Sequence, residues 1–146
     1  MEKSLNTFID RYLGFLWAKR QTMLRYYLRN KPDSPSLVDT PEQYAIISIL
    51  DSYGHGVPIG DIASQIDIPH ANVSRTLNRL EKKGLIRRTR GKSDKRQVYI
   101  HLSLEGKKAA RLAGRATEKL HKTMWGELSE EEAQTLHHLF RKLIQS

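Results

Sequence analysis

Residues 70–100 carry most of the chain's net positive charge, on a pattern that predicts one helix followed by a two-stranded hairpin. The segment has ten Lys or Arg residues against two acidic ones, a net charge of +8, whereas the whole chain of 146 residues carries +9. A globular surface that spreads its charges for solubility would not concentrate them in this way. Positive charge concentrated on one segment favours binding of a polyanion, and a helix followed by a hairpin suggests that this polyanion is duplex DNA.

Two helices joined by a tight connector are predicted around the start of this segment. A short helix is expected over residues 61–66 and a longer one over residues 70–83, with residues 67–69 between them. Gly84 is expected to end the longer helix as a C-cap, followed by a hydrophobic residue as in a Schellman ending. The longer helix has an inner apolar stripe at helical spacing, formed by Val73, Leu77 and Leu80.

Two short strands separated by a polar turn follow the longer helix. Residues 85–89 and 97–102 are predicted as strands, and residues 91–95 as the turn between them. Two helices joined by a short turn and followed by a hairpin make a winged helix-turn-helix. The expected fold is therefore mainly α with a small β-wing, in which long helices flank the winged helix-turn-helix.

The face of the longer helix opposite its apolar stripe is polar and suits the major groove. Asn and Arg make bidentate contacts with adenine and guanine edges there, and the helix N-terminus is the end that enters the groove. The hairpin tip would lie beside the backbone or in the minor groove, where narrow A·T-rich stretches attract Arg. The predicted DNA-binding residues are His70, Ala71, Asn72, Ser74, Arg75, Asn78 and Arg79 on the helix, and Arg90, Lys92, Lys95 and Arg96 on the wing.

Long helices are predicted before and after this unit, over residues 5–30, 41–53 and 104–125, with a final helix from Ser129 onward. The first of them is apolar on more than one side, which predicts that something beyond its own domain buries it. Capping boxes are expected at Thr40 with Gln43 and at Ser129 with Glu132. The residues expected to face inward are Ala109, Leu112, Ala113, Ala116, Leu120 and Met124 in residues 104–125, and Ala133, Leu136, Phe140, Leu143 and Ile144 in the final helix.

Several short motifs follow one another in an order typical of a known family. They are Ile62-Ala63, Val73-Ser74-Arg75, Leu80-Glu81-Lys82-Lys83-Gly84-Leu85-Ile86, Ser93-Asp94-Lys95-Arg96-Gln97-Val98 and Leu102-Ser103-Leu104-Glu105-Gly106. The segment that contains them, residues 59–106, resembles the core of the MarR family of bacterial transcriptional regulators. One departure is Pro69, which stands where many members have a serine N-cap before the recognition helix.

This resemblance implies an obligate homodimer and a single domain over residues 1–146. Residues 41–102 would form the winged helix-turn-helix DNA-binding lobe, and residues 1–30 and 104–146 the helical dimerisation region. Arg96 would reach the minor groove, and Asp94 would hold the wing in shape by pairing with a neighbouring arginine, for which the candidates are Arg88 and Arg90.

The resemblance also implies a regulatory mechanism. The protein would act as a repressor, released from a palindromic operator by a small aromatic or phenolic effector that binds between the dimerisation helices and the lobe. Such an effector would shift the population between two dimer arrangements. The candidate pocket residues, which could equally be dimer core, are Tyr12, Trp17, Tyr26 and Tyr44.

Other functions remain open at this point. A ligand-independent accessory or architectural DNA-binding protein would show little sequence preference and strong salt dependence. An enzyme or an interaction adaptor could reuse the fold, but the sequence has no Ser/His/Asp set and no phosphate-binding loop, so an enzyme is not expected. Arg87 and Arg88 could simply be the solvent side and edge protection of a strand.

Metal, membrane and redox roles are not expected either. The six histidines show no His-x-x-x-His spacing, so no metal or other cofactor is predicted. The chain has no cysteine, no signal-peptide pattern and no apolar run near the ~20 residues that span a bilayer. A membrane-lying helix would need its basic and apolar faces on one helix, whereas these charges continue through a turn and a strand. A cytoplasmic, nucleoid-associated bacterial protein is expected.

Overall fold

The computed structural model describes residues 2–30, 37–66 and 68–145, with side chains from residue 5 onward. Residues 31–36, and Asp67 of the predicted connector, lie outside this range. Within it there are six helices and three strands: α1 (Glu2–Arg29), α2 (Pro41–Tyr53), β1 (Val57–Pro58), α3 (Ile59–Gln65), α4 (His70–Lys82), β2 (Ile86–Arg90), β3 (Val98–Leu102), α5 (Leu104–Trp125) and α6 (Glu130–Gln145).

The predicted fold class, mainly α with a small β-wing, is confirmed. The hairpin pairs Arg90 with Val98 and Ile86 with Leu102 in an antiparallel ladder. Strand β1 was not expected; it adds a two-residue edge to β3, so that the sheet order is β1-β3-β2. The short helix begins at Ile59 rather than Asp61, because the chain turns into α3 directly after Pro58.

Both predicted helix starts have side-chain caps. At α6 the capping box is reciprocal: Ser129 Oγ accepts from the Glu132 amide at 3.1 Å, and Glu132 Oε2 accepts from the Ser129 amide at 2.8 Å. At α2, Thr40 Oγ1 accepts from the Gln43 amide at 3.2 Å. The Gln43 side chain, however, accepts from the Asp39 amide instead of completing the expected box with Thr40.

The core lies between α2, α4, the hairpin and α5. The predicted inner stripe of α4 is confirmed, because Val73, Leu77 and Leu80 have at most 1% of their surface exposed. Helix α1 contributes only its second half to this core. The buried residues of α1 are Leu24 and Leu28.

Large apolar surfaces stay open on α1 and α6 in the single chain. Helix α6 has no buried residue, and its Ile144 is 83% exposed. The apolar stripe of α6 was expected to face inward, and within a single chain this expectation is wrong. It is also wrong for Leu112 of α5, which is 42% exposed. Among the described residues, no helix combines the length and the hydropathy that a bilayer span requires. The exposed apolar residues of α1 are Leu5, Phe8, Ile9, Tyr12, Leu13, Phe15, Leu16, Trp17 and Tyr26.

The end of α4, the hairpin and the start of α5 are joined at Gly84 and Leu85. Gly84 has a φ of 74°, and the amides of Gly84 and Leu85 donate to Glu81 O at 2.9 Å and Leu80 O at 3.0 Å, which confirms the predicted Schellman ending. The carbonyl of Leu85 accepts from the Ser103 amide at 3.0 Å. The Ser103 hydroxyl donates to Gly84 O at 2.5 Å and accepts from the amide nitrogen of Gly106, a residue of α5.

Substituting Gly106 by Ala should destabilise the protein, because a Cβ at this position would overlap the carbonyl oxygen of Leu85. We expect the free energy of unfolding to fall by about 1–3 kcal/mol in urea denaturation at constant protein concentration. Gly114 is the matched control on the same helix, since a Cβ there meets nothing within 4 Å. Gly114→Ala should stabilise by about 0.5–1 kcal/mol. Equal effects of the two substitutions would contradict the tight contact at Leu85.

Candidate nucleic-acid interface

Helix α4 presents an exposed, largely polar side opposite its buried stripe. Every predicted DNA-binding residue of this helix lies on that exposed side. The N-cap, Pro69, supplies no side-chain hydrogen bond, so the positive end of the helix dipole has no side-chain cap. A phosphate group could approach there. The exposed residues are His70, Ala71, Asn72, Ser74, Arg75, Asn78 and Arg79.

Two asparagines on this surface are already hydrogen-bonded within the protein. Asn72 Oδ1 accepts from Arg75 Nη2 at 3.0 Å, one helical turn away. Asn78 Oδ1 accepts from Arg88 Nη2 at 2.6 Å, across to strand β2. The same guanidinium donates through Nε to Glu81 Oε2 at 2.8 Å. We name Arg88, Glu81 and Asn78 the wing latch, because the three side chains join the wing to α4.

The contacts of Arg88 with α4 were not predicted from the sequence, which left Arg88 either at the solvent side and edge of a strand or as a candidate partner of Asp94. The available signal was the spacing of Asn78 and Glu81, which lie three residues apart and so share one face of α4. That face becomes a partner for Arg88 only when the sheet folds against the helix. The Lys83 side chain is also used in hydrogen bonds within the protein, because its Nζ donates to Leu37 O at 2.7 Å and to Gln43 Oε1 at 3.1 Å.

The hairpin tip is an exposed cationic loop shaped by Asp94. The Asp94 carboxylate accepts from the Arg96 amide at 2.9 Å, and the Asp94 carbonyl accepts from the Gln97 amide at 3.2 Å. Among the described residues Asp94 forms no ion pair, and Arg88 is paired with Glu81. The expected pairing of Asp94 with an arginine is therefore wrong, and the carboxylate contacts backbone instead. The exposed cations of the wing are Arg90, Lys92, Lys95 and Arg96.

Two histidines lie at the base of the wing, away from its tip. Thr89 Oγ1 and His101 Nε2 are 2.8 Å apart. Partial burial, followed by the nearby charges of Arg87 and His55, lowers the pKa of His101 below its usual value. The neutral ring is thus favoured at neutral pH. Within the described part of the chain, no three His, Asp or Glu side chains are grouped so that they could hold a metal ion.

The candidate effector residues do not lie together. Trp17 lines an open groove of about 480 Å³ between α1, α2 and the α3–α4 connection, whereas the other three residues do not line it. Tyr44 donates or accepts a hydrogen bond with Thr117 Oγ1 at 3.2 Å, which joins α2 to α5. Tyr12 packs on its helix neighbour Phe8, and Tyr26 packs on Tyr27.

Comparison with known proteins agrees with this geometry. The MarR family model matches residues 40–98, which include α4 and most of the wing. The HTH-type transcriptional regulator FarR of Neisseria gonorrhoeae is 31% identical over 131 residues, covering 90% of this chain and 86% of that protein. This degree of identity over nearly the full length decides the family.

The chain belongs to the MarR family. It is a winged-helix, DNA-binding transcriptional regulator, and its described relatives are regulators rather than enzymes.

Solved structures of the family share the fold. A mutant MarR from E. coli complexed with operator DNA superimposes with a TM-score of 0.76 at 21% identity, covering 92% of each chain. The organohalide-sensing regulator RdhR-CbdbA1625 in its 2,4-dichlorophenol-bound form gives a TM-score of 0.78 at 24% identity, covering 95% of this chain and 79% of that one. At these identities the likeness establishes the winged-helix architecture of this MarR-family chain.

Replacing Arg75 by Ala should weaken binding to the preferred duplex by about 1–3 kcal/mol and relax base preference at one position, as expected for a bidentate guanine contact. Fluorescence anisotropy with preferred and random duplexes at near-physiological salt measures both effects. Arg111→Ala removes the same charge from an exposed site on α5 and should affect both duplexes only slightly. An equal loss on specific and random DNA with Arg75→Ala would mean that Arg75 contacts only phosphate.

Proposed function

We propose that this protein is a homodimeric, sequence-specific repressor that acts on DNA in the bacterial cytoplasm. The observation that carries the proposal is the exposed Asn- and Arg-bearing side of α4 beside a wing tip whose cations are free of ion pairs within the described residues. Helix α4 reads base edges in the major groove, and the wing cations contact the backbone or the minor groove.

The proposed roles of the two regions of the chain follow from the side chains that each region leaves exposed. Residues 41–102 form the DNA-binding lobe and expose cations. Residues 1–30 and 104–146 form the dimerisation region and expose apolar side chains, including Phe8 at 56%, Leu139 at 49% and Ile144 at 83%. Apolar surface of this extent on a soluble chain marks an interface, and a second copy of the chain is its occupant. A two-fold dimer then requires a palindromic operator with half-sites about one helical turn, ~34 Å, apart.

The groove beside Trp17 is the proposed effector site. Its apolar lining includes Trp17, Ile66 and Ile68, which suit an aromatic ring, and the Arg20 guanidinium lies 5.8 Å from the Trp17 ring centroid. A phenolate or carboxylate on that ring would find the charge of Arg20 nearby. The dichlorophenol-bound relative supports a phenolic ligand class.

Ligand in this groove would act on the recognition helix directly. The groove wall runs from Trp17 on α1 to Pro69 and Asn72 at the start of α4. An occupant therefore contacts both the proposed dimerisation region and the end of α4 that enters DNA. It would favour a dimer in which the two recognition helices no longer match successive major grooves. Repression lasts while the dimer occupies the operator, and it ends when effector binding releases the dimer from the DNA.

Selection of bound sequences from a random duplex library, at near-physiological salt, tests the proposed function. We expect an enriched inverted repeat, because two copies of α4 would read two half-sites. Salt-sensitive binding without an enriched motif would instead support the architectural alternative. No binding by effector-free protein would mean that the fold serves another purpose in this chain.

Substituting Leu16 by Glu should break the dimer and abolish operator binding, because Leu16 lies in the middle of the apolar surface of α1. Light scattering should report the monomer mass. Ala18→Glu adds the same charge at an exposed position roughly 160° away around the helix and should leave the dimer intact. A Leu16→Glu variant that remains dimeric would place the interface elsewhere.

Binding of a phenol in the groove should quench Trp17 fluorescence. Trp125→Phe leaves Trp17 as the remaining tryptophan of the two in the chain, and in this variant 2,4-dichlorophenol should quench emission saturably. Ile68→Asp, which places a charge in the groove wall, should weaken the apparent affinity at least several-fold. Quenching that is linear in ligand and unaffected by Ile68→Asp would contradict an effector site in this groove.

A further inference from the structure

A small cavity lies where the end of α2, the base of the wing and the first turns of α5 meet. Its volume is about 130 Å³. A cavity of ~150 Å³ can hold a benzene molecule, and a phosphate group is smaller than that ring, so a phosphate group fits. We name this space the basal cavity. The charged and imidazole side chains that line it are Asp51, His55, Arg87, His101 and Lys107.

Strand pairing places the basal cavity on the side of the sheet that faces away from α4. Arg87 of β2 pairs with His101 of β3, so the two side chains stand beside each other on one face. Arg88, the next residue along β2, points to the other face and contacts Asn78 of α4. An anion bound by Arg87 would therefore be separated from the recognition helix by the sheet.

The lining of the basal cavity has an excess of basic side chains. Four of them face one carboxylate, that of Asp51. Among the described residues, Arg87, Lys107 and Asp51 form no ion pair. Partial burial, followed by the charges of Arg87 and His55, lowers the pKa of His101, so the basic groups oppose further positive charge here. A bound anion would relieve this repulsion.

The His101 ring is held in place by its neighbours. Its Nε2 lies 2.8 Å from Thr89 Oγ1. Gly56 packs so closely on the ring that a Cβ at that position would overlap it. The ring therefore has a defined position at the cavity before any ligand binds, which lowers the entropy that binding must remove.

We propose that the basal cavity binds a phosphate group, supplied by inorganic phosphate or by a small phosphate monoester. The Arg87 guanidinium can donate two parallel hydrogen bonds to phosphate oxygens, and the Lys107 ammonium adds a point charge. A phosphate monoester carries about −1.5 to −2 at pH 7, which matches the two permanent cations, whereas a carboxylate would neutralise only one of them. Phosphate binding here is independent of the proposed repressor function.

Histidine ring signals in two-dimensional NMR test this proposal at the site itself. The full chain, in a phosphate-free buffer at constant pH and ionic strength, is titrated with inorganic phosphate and separately with glycerol 3-phosphate. The signals of His55 and His101, identified with His→Gln variants, should shift saturably. The signal of His121, ~21 Å further along α5 than Lys107, should stay in place. The lower of the two half-saturation concentrations shows which source the cavity prefers.

Arg87→Gln and Lys107→Gln should each raise the half-saturation concentration several-fold, because each removes one of the two permanent cations. Lys108→Gln is the matched control. Lys108 follows Lys107 on the same helix, but it pairs with Glu105 at 3.3 Å and does not line the cavity. Its half-saturation concentration should remain close to that of the wild type.

Three results would overturn the proposal. The first is a His101 shift that grows linearly with phosphate and does not saturate. The second is an equal response of Lys107→Gln and Lys108→Gln. The third is displacement of phosphate by duplex DNA, which would assign the cavity to the DNA interface. Circular dichroism verifies that the variants fold, and Lys107→Gln, at an exposed position of α5, carries the test if Arg87→Gln is unstable.

Discussion

The backbone junction at Gly84 and Leu85 is the constraint on which the rest of this structure depends. Gly84 adopts a φ of 74°, which ends α4 at the point where β2 must begin, and the Leu85 side chain is completely buried. The Leu85 carbonyl and the Gly84 carbonyl both accept from Ser103, the residue that caps α5. The recognition helix, both ends of the wing hairpin and the start of a long helix therefore meet within a few residues.

This junction determines what a regulatory signal can move. Because α4 and the wing are joined at Leu85 and again through Arg88, they should shift together as one DNA-binding unit. Helix α5 begins at the same junction, so in the proposed dimer a displacement of the dimerisation helices would reach α4 and the wing as a rigid movement. The groove beside Trp17 lies at the other end of α4, where the proposed effector would bias that movement.

The sequence was most informative where the governing interactions are local. The stripe of Val73, Leu77 and Leu80, the Schellman ending at Gly84 and the hairpin depend on near neighbours in the chain, and all were predicted. Strand β1 was not predicted, because two residues show no alternation and are defined only by pairing with β3. The wing latch requires a strand to fold against a helix, so the spacing of Asn78 and Glu81 along α4 does not by itself reveal it. The four aromatic effector candidates were chosen by residue type, which does not say where a side chain lies.

In the proposed complex, two copies of α4 lie in successive major grooves of one duplex. Dimethyl sulfate protection of guanine N7 on the selected operator measures this directly, because N7 faces the major groove. We expect two protected clusters whose centres lie about one helical turn, 10–10.5 base pairs, apart. A single cluster, or uniform weak protection along the duplex, would contradict it.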